Sequence, residues 1–373
     1  MQNIVMTAKG DSTQSCNDLS LSSLRGSETT EAIQKNNPHK VRSHKYQIKT
    51  IYKIFGIYLF STIKIVNNPN FSLVLAWREV DFCNIGKYIS LDKNIAQKIG
   101  ILCKDLNISN KIWLTRQISR AKLAFESGKD ISDLGYEEIC DLEAICTEFY
   151  PNIFKISDDL YAYSGYLVPQ EICAAEVFWY KHNLHIFTPQ TLSRIKMQNI
   201  IDVGASIGDS AIVFEREFCD KNIYSFEPLK ARYELMLQTI KLNSSKRIIP
   251  INKGLGAEST CVAIDSDIAS MVAIKDAQFA EIITLDSFVE ENNIEVGFIK
   301  VDVEGFEMEF LKGAMKTITS QKPAMLISIY HSGSDYFHIK PFIDSLNLGY
   351  TFKIYKGTDW TITEETGLFC EAL

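Results

Sequence analysis

Three short stretches carry residue types suited to chemistry at the ends of strands. The first is Asn199–Ala211, NIIDVGASIGDSA, where an apolar run ends at Asp202 and enters a turn with Gly204 and Gly208. The second is Ile223–Pro228, IYSFEP, which ends in Glu227. The third is Gly297–Glu307, GFIKVDVEGFE, with Asp302, Glu304 and Glu307 around a glycine turn. Glycines in such a turn let the backbone approach a ligand closely and take dihedrals that other residues avoid. A helix starting at Asp209 would present free N–H groups and a positive dipole end, which welcome a negative group. Yet the G-x-G-x-x-G phosphate fingerprint is absent, because Ala205, Ser206 and Ile207 separate the two glycines. A carboxylate at Asp209 would compete with phosphates, whereas beside a phosphate-free ligand it can simply cap the helix. Asp202 can accept hydrogen bonds from a cationic amino group. Glu227 stands about twenty residues beyond the glycine turn, where a carboxylate accepts both hydroxyls of a ribose. Together these residues point to an adenosine-type ligand without phosphate. Each has a plainer alternative: a structural turn, a solvated strand-end carboxylate at Glu227, and a dipole-stabilised carboxylate at Glu307.

The elements that must position these groups begin after Gln198. Short apolar runs at Ile200–Val203, Ile223–Phe226, Ile248–Ile251, Gly297–Val301 and Ala324–Tyr330 alternate with amphipathic segments at Asp209–Phe218, Leu229–Leu242, Gly305–Ile318 and Asp335–Leu346. Strands that are apolar on both faces and alternate with helices imply a parallel sheet covered on both sides. Pro228 stops the second strand and starts the next helix. Tyr350–Lys356 and Gly367–Leu373 have no long helix between them, so they should pair as an antiparallel hairpin. Open α/β sheets bind ligands beyond the carboxyl ends of their strands. That rule selects Asp202, Glu227, Asn252, Asp302 and the Ile329–Ser332 end of the fifth strand, with His331.

The N-terminal half is read differently. Residues 1–45 are polar and poor in aromatics, as a disordered tail is, and contain no apolar core of a secretory leader. Residues 46–198 form a mainly helical accessory region, and residues 199–373 the ligand-binding domain. Asn110–Phe125 places Ile112, Ile118, Leu123 and Ala124 near one face, and Tyr136–Phe149 repeats the habit with Ile139, Leu142, Ile145 and Phe149. The segment YKHNLHIF, holding His182 and His185, reads as packing that leads into the sheet. From Ala32 to Arg78 there is no acidic residue, while eight Lys and Arg fall there. Within that window, residues 35–66 can either pack on the protein or touch an anionic membrane surface. The apolar run Ile51–Val66 is too short and lysine-broken to span a bilayer. The net charge of −7 argues against nucleic acid as a partner. Nine scattered cysteines without C-x-x-C spacing fit reduced thiols of a cytoplasmic protein, with the inner membrane face as an alternative location.

The order DVGASIGDSA, YSFEP, TLDSF (Thr284–Phe288) and IKVDVEGFEMEFLKGA (Ile299–Ala314) resembles the FkbM family of S-adenosylmethionine-dependent methyltransferases. The resemblance covers roughly residues 199–330. It implies a class I methyltransferase-like Rossmann sheet: seven strands, mostly parallel, with a C-terminal antiparallel hairpin, preceded by the helical region. It also implies S-adenosyl-L-methionine as cofactor and O-methylation of a sugar, glycoconjugate or other small hydroxylated acceptor. Asp202, Gly204, Ala205, Gly208, Asp209, Glu227, Pro228 and Asp302 would then bind the cofactor. Ser270–Val272 is a candidate for adenine contacts, and Asp286 in TLDSF either serves the site or caps its own helix. A sugar hydroxyl is a poor nucleophile, so a base should assist, and Asp302, Glu304 and His331 are the catalytic candidates. The spacing of those three does not specify a metal, and none is assigned. An alternative from another class is a methyltransferase-fold interaction module in glycan biosynthesis that has lost the reaction. A nicotinamide oxidoreductase fits poorly, given the absent fingerprint and the expected hairpin.

Overall fold

The computed structural model describes residues 85–128, 134–172, 175–264 and 278–372, together with strands Asn3–Lys9, Lys45–Ile51, Lys64–Ile65 and Phe71–Ser72. Two compact units divide the chain. One comprises Met1–Glu79, Lys129–Asn152 and Thr358–Thr361; the other comprises Val80–Gly128, Ile153–Gly357 and Ile362–Leu373. Residues 85–128 and 153–198 therefore share a unit with the sheet described below.

In the first unit, Asn3–Lys9 pairs antiparallel with Lys45–Ile51. The helix Tyr136–Ala144 starts where the Glu138 carboxylate accepts the Gly135 N–H at 2.7 Å, and it runs into a π-helical turn at Ile145–Phe149. Leu142, Ile145 and Phe149 are buried as the periodicity required. Apart from its paired strands, the polar N-terminal region, with most of the basic segment 35–66, lies outside the described residues.

The second unit is organised by a seven-stranded sheet. Its strands are β1 (Asn199–Val203), β2 (Ile223–Phe226), β3 (Ile248–Ile251), β4 (Val296–Val301), β5 (Ala324–Ser328), β6 (Thr351–Tyr355) and β7 (Gly367–Glu371). They lie in the order β3-β2-β1-β4-β5-β7-β6. All neighbours are parallel except β7, which runs antiparallel to both β5 and β6. This is the class I methyltransferase-like sheet with its C-terminal antiparallel hairpin. Every residue of β4 is buried, as a central strand covered on both faces must be. The strand order reverses between β1 and β4, which opens a crevice at their carboxyl ends.

Several elements depart from expectation for local reasons. The helix Ile108–Ser127 buries Leu114, Gln117, Ile118, Arg120 and Ala121. Ile112 and Leu123, expected on the buried face, are 62% and 54% exposed. The buried register is instead fixed by Asn110, whose side chain donates to the Ile354 carbonyl and accepts the Ile354 N–H at 2.9 Å. That amide occupies the open edge of β6, where unpaired backbone would otherwise face outward. The single helix expected over Gly305–Ile318 is two, Glu307–Gly313 and Met315–Gln321. The break at Ala314 is held by Asp286, whose carboxylate accepts the N–H groups of Lys316 at 2.8 Å and Thr317 at 2.7 Å. Asp286 thus caps a neighbouring helix; its own helix, Leu285–Asn292, is capped by Thr284 through the Ser287 N–H at 3.1 Å. The alternation of strand and helix also missed a small three-stranded antiparallel sheet over Ile153–Val168 and the antiparallel pairing of Thr260–Ile264 with Gln278–Ile283.

Candidate active site

The β1 turn is shaped by its glycines. Gly204 has φ of +77°, and a Cβ there would lie 1.8 Å from the Asp302 carbonyl oxygen. Only glycine lets the end of β1 lie against the end of β4. The Asp302 N–H closes the same seam by donating to the Val203 carbonyl at 3.0 Å. On the other side, the N–H groups of Gly204 and Ala205 both donate to Phe226, at 3.1 and 2.9 Å, joining the turn to β2. Gly208, with φ of +79°, stands at the cap of the helix Asp209–Val213, where a Cβ would press on Met236 at 2.9 Å. Asp209 is therefore inside the helix, and its carboxylate accepts the next N–H, from Ser210 at 3.0 Å.

Glu227 follows β2 and is 6% exposed. Its two carboxylate oxygens accept the N–H groups of Ser206 at 2.9 Å and Leu229 at 2.8 Å. Burial pushes it up to about 7, the backbone donors opposing. Asn252, at the end of β3, fixes this strand end by donating to the Glu227 carbonyl at 2.8 Å. Pro228 lies between Glu227 and the helix Lys230–Leu242, where a Cβ on Gly254 would meet its ring at 3.5 Å.

The β4 side is built from charged side chains. Lys300, the one charged residue of β4, is buried and donates to the Gly204 carbonyl at 3.1 Å. Its ammonium lies 3.7 Å from Asp202 and 3.6 Å from Asp302. Burial opposes its charge, but the carboxylates of Asp302, Asp202 and Asp209 hold it above the ordinary lysine value. Asp202 is fully buried, and burial raises it to about 6 against the pull of Lys300. Asp302 is buried in part; Lys300 and His331 overcome that burial and keep its carboxyl below the ordinary value. Lys300 was not singled out from the sequence. The available signal was a lysine inside a wholly apolar central strand, a residue rarely buried unless paired.

His331, beyond β5, has a side chain only 5% exposed, with Nδ1 2.8 Å from Glu307 Oε1. Nε2 lies 3.4 Å from Asp302 Oδ1 and 3.6 Å from Glu304 Oε2. Burial disfavours its charge, yet Glu307, Asp302 and Glu304 raise it to about 10. Glu307, read from the sequence as best explained by the helix dipole, is instead wholly buried and accepts the Val303 N–H at 3.0 Å. Glu304 sits at the rim with φ of +55°, its side chain 40% exposed. The structure thus gathers Asp302, Glu304 and His331, and adds Glu307 and Lys300. His182 is buried against Ser210 at 2.9 Å and pushed down to about 3 by burial, whereas His185 is exposed. A small polar cavity beside Lys300 and Asp302 is also lined by His182, Glu176, Ser328 and Glu365. Ser270–Val272 lies outside the described residues.

Residues 202–352 match the family model described as the methyltransferase FkbM domain. That stretch of the chain is similar to this family. All the residues gathered above fall inside it except His182, Glu176 and Glu365. Among characterised proteins, the chain is 26% identical over 187 residues to the hexuronic acid methyltransferase AglP of Haloferax volcanii, covering 46% of this chain and 74% of that protein. Among solved structures, it is similar to a methyltransferase FkbM from Methylobacillus flagellatus, with 16% identity and a TM-score of 0.48. That match covers 79% of this chain, which spans 63% of the other. Aeropyrum pernix fibrillarin, solved with S-adenosyl-L-methionine, matches at 12% identity and a TM-score of 0.31, over 50% of this chain and 70% of that one. No described helix is long and apolar enough to cross a membrane.

Proposed function

We propose that this chain is an S-adenosyl-L-methionine-dependent O-methyltransferase acting on a hydroxyl of a sugar or glycoconjugate. The observation that carries the reading is the Gly204 turn, which has no room for a Cβ and leads to Glu227 on one side and Asp302 on the other. Glu227 at the end of β2 suits a ribose, and the carboxylates of Asp202 and Asp209 suit an ammonium group and repel phosphate. When bound, the cofactor supplies a methyl group on a sulfonium, open to in-line attack by a hydroxyl oxygen. Asp302, held ionised by Lys300 and His331, provides negative charge beside that cation. Glu304 is the carboxylate at the rim that can take the hydroxyl proton. Partial burial and the nearby carboxylates of Asp302 and Glu307 raise it, against His331, which makes it a better base. The sugar acceptor follows the named activity of the Haloferax relative.

The test is a thermal shift with S-adenosyl-homocysteine and with NADH, followed by transfer of labelled methyl groups to fractionated glycans. A shift with the first alone and a labelled carbohydrate product are expected. No shift with S-adenosyl-homocysteine would overturn the reading. A shift without any labelled product would favour the interaction-module alternative.

A further inference from the structure

We infer that Asp302, Glu307 and His331 form a divalent-cation site at the β4–β5 edge. One ligand atom from each side chain lies within 4.8 Å of the others. Two ligands bound at about 2.1 Å to one ion are at most about 4.2 Å apart, so closure needs movements of only a few tenths of an ångström per side chain.

Two further observations point to a cation. His331 is nearly buried, yet neither ring nitrogen makes an aligned hydrogen bond, although carboxylate oxygens stand 2.8 to 3.6 Å away. Glu307 is wholly buried; Oε1 is held by the Val303 N–H, but Oε2 has no partner. A buried carboxylate oxygen without a donor is costly, and a metal ion is one of the few groups that removes that cost. Asp302, Glu304 and Glu307 surround one imidazole, and Lys300, 3.6 Å from Asp302, reaches only one of them, so an ion bound there takes the place of the proton that these carboxylates otherwise hold on His331. One imidazole with two carboxylates suits an ion of the Mn²⁺ kind better than Ca²⁺, which prefers an all-oxygen shell.

The site's existence does not depend on the methyl-transfer reading, but its role does. An ion held there polarises the arriving hydroxyl: the O–H bond breaks and its proton goes to Glu304. The oxygen pair forms the bond to the methyl carbon, and the carbon–sulfur bond breaks with its electrons left on sulfur.

Full-length chain, stripped with chelator and dialysed, is titrated with Mn²⁺, and free ion is read by electron paramagnetic resonance. About one tight equivalent per chain is expected, retained by Glu227→Ala and lost in His331→Asn. Glu307→Gln should lose it too, with melting curves reporting whether each variant folds. No tight equivalent in the wild-type chain would overturn the site, and so would full binding by a folded His331→Asn chain. S-adenosyl-homocysteine shifts on the same samples keep the two readings apart. A shift without Mn²⁺ uptake sinks the cation site alone, while Mn²⁺ uptake without a shift sinks the cofactor reading and leaves the site standing.

Discussion

On the β1–β2 side of the crevice, the shaping groups are two glycines and the backbone N–H groups of Ser206 and Leu229, with the carboxylates of Asp202, Asp209 and Glu227 around them. On the β4–β5 side they are Lys300, Asp302, Glu304, Glu307 and His331, nearly all side chain. Backbone-built surface has one shape and few degrees of freedom, which suits a ligand that never changes. A cluster of opposed charges can be retuned by single substitutions, which suits the half where the acceptor arrives and the proton leaves. The contrast predicts that damage to one half should leave the other half's property measurable.

The largest effect is expected at Lys300, whose buried ammonium links Asp202 and the Gly204 carbonyl on one half to Asp302 on the other. Lys300→Met removes the cation that stands between Asp202 and Asp302 and leaves Asp202 buried and uncompensated. Breaking such a buried arrangement from one side costs about 3–5 kcal/mol. Denaturant unfolding should show that loss, and Lys300→Met with Asp202→Asn should recover a large part of it. If Lys300→Met is as stable as wild type, the two halves are not joined through this ammonium.

Next in size is Glu227→Ala. Losing hydrogen bonds from a ligand to a charged acceptor costs about 1.5–3 kcal/mol, or roughly 10- to 150-fold in affinity. Calorimetry with S-adenosyl-homocysteine should show that weakening. Glu304→Gln should bind nearly as wild type while losing turnover. Equal loss of binding in both variants would erase the distinction between the halves.

The same division explains what the sequence made legible. Backbone-built features leave local marks: glycines at fixed spacing, an acidic residue after an apolar run, and strands alternating with helices. Hence β2 and β3 begin and end where the apolar runs do, and Gly204, Gly208 and Glu227 fall where the spacing placed them. The charge cluster depends on partners far apart in the chain. Glu307 looked like an ordinary first-turn glutamate because its partner, His331, comes only after a further helix and a strand. Asp286 looked like a cap for its own helix because the N–H groups it serves, of Lys316 and Thr317, belong to a helix broken at Ala314. On Ile108–Ser127, hydrophobicity alone placed Ile118 rightly but misplaced Ile112 and Leu123, since Asn110 at the β6 edge decides which way the helix turns.

The smallest expected effect is also the sharpest test of the backbone-built half, because it changes one proton. Glu227 stands at about 7 through burial, so it is half ionised near neutral pH. Only the ionised form accepts from both ribose hydroxyls without giving up an oxygen. Affinity for S-adenosyl-homocysteine should therefore fall by about tenfold from pH 8 to pH 6, one logarithm per unit below the folded value. Stability without ligand should move the opposite way. A carboxyl raised on folding stabilises the fold most below its unfolded value, near 4.5, and loses that contribution as pH rises through about 7. Asp202, raised to about 6, adds a slope of the same sign, so the measurement is the difference between wild type and Glu227→Gln. In the variant the affinity slope should flatten and the stability curve should lose its decline toward pH 7. An unchanged affinity slope in Glu227→Gln would place the titrating group elsewhere, and the charge cluster around Asp302 and His331 would then govern the cofactor as well as the acceptor.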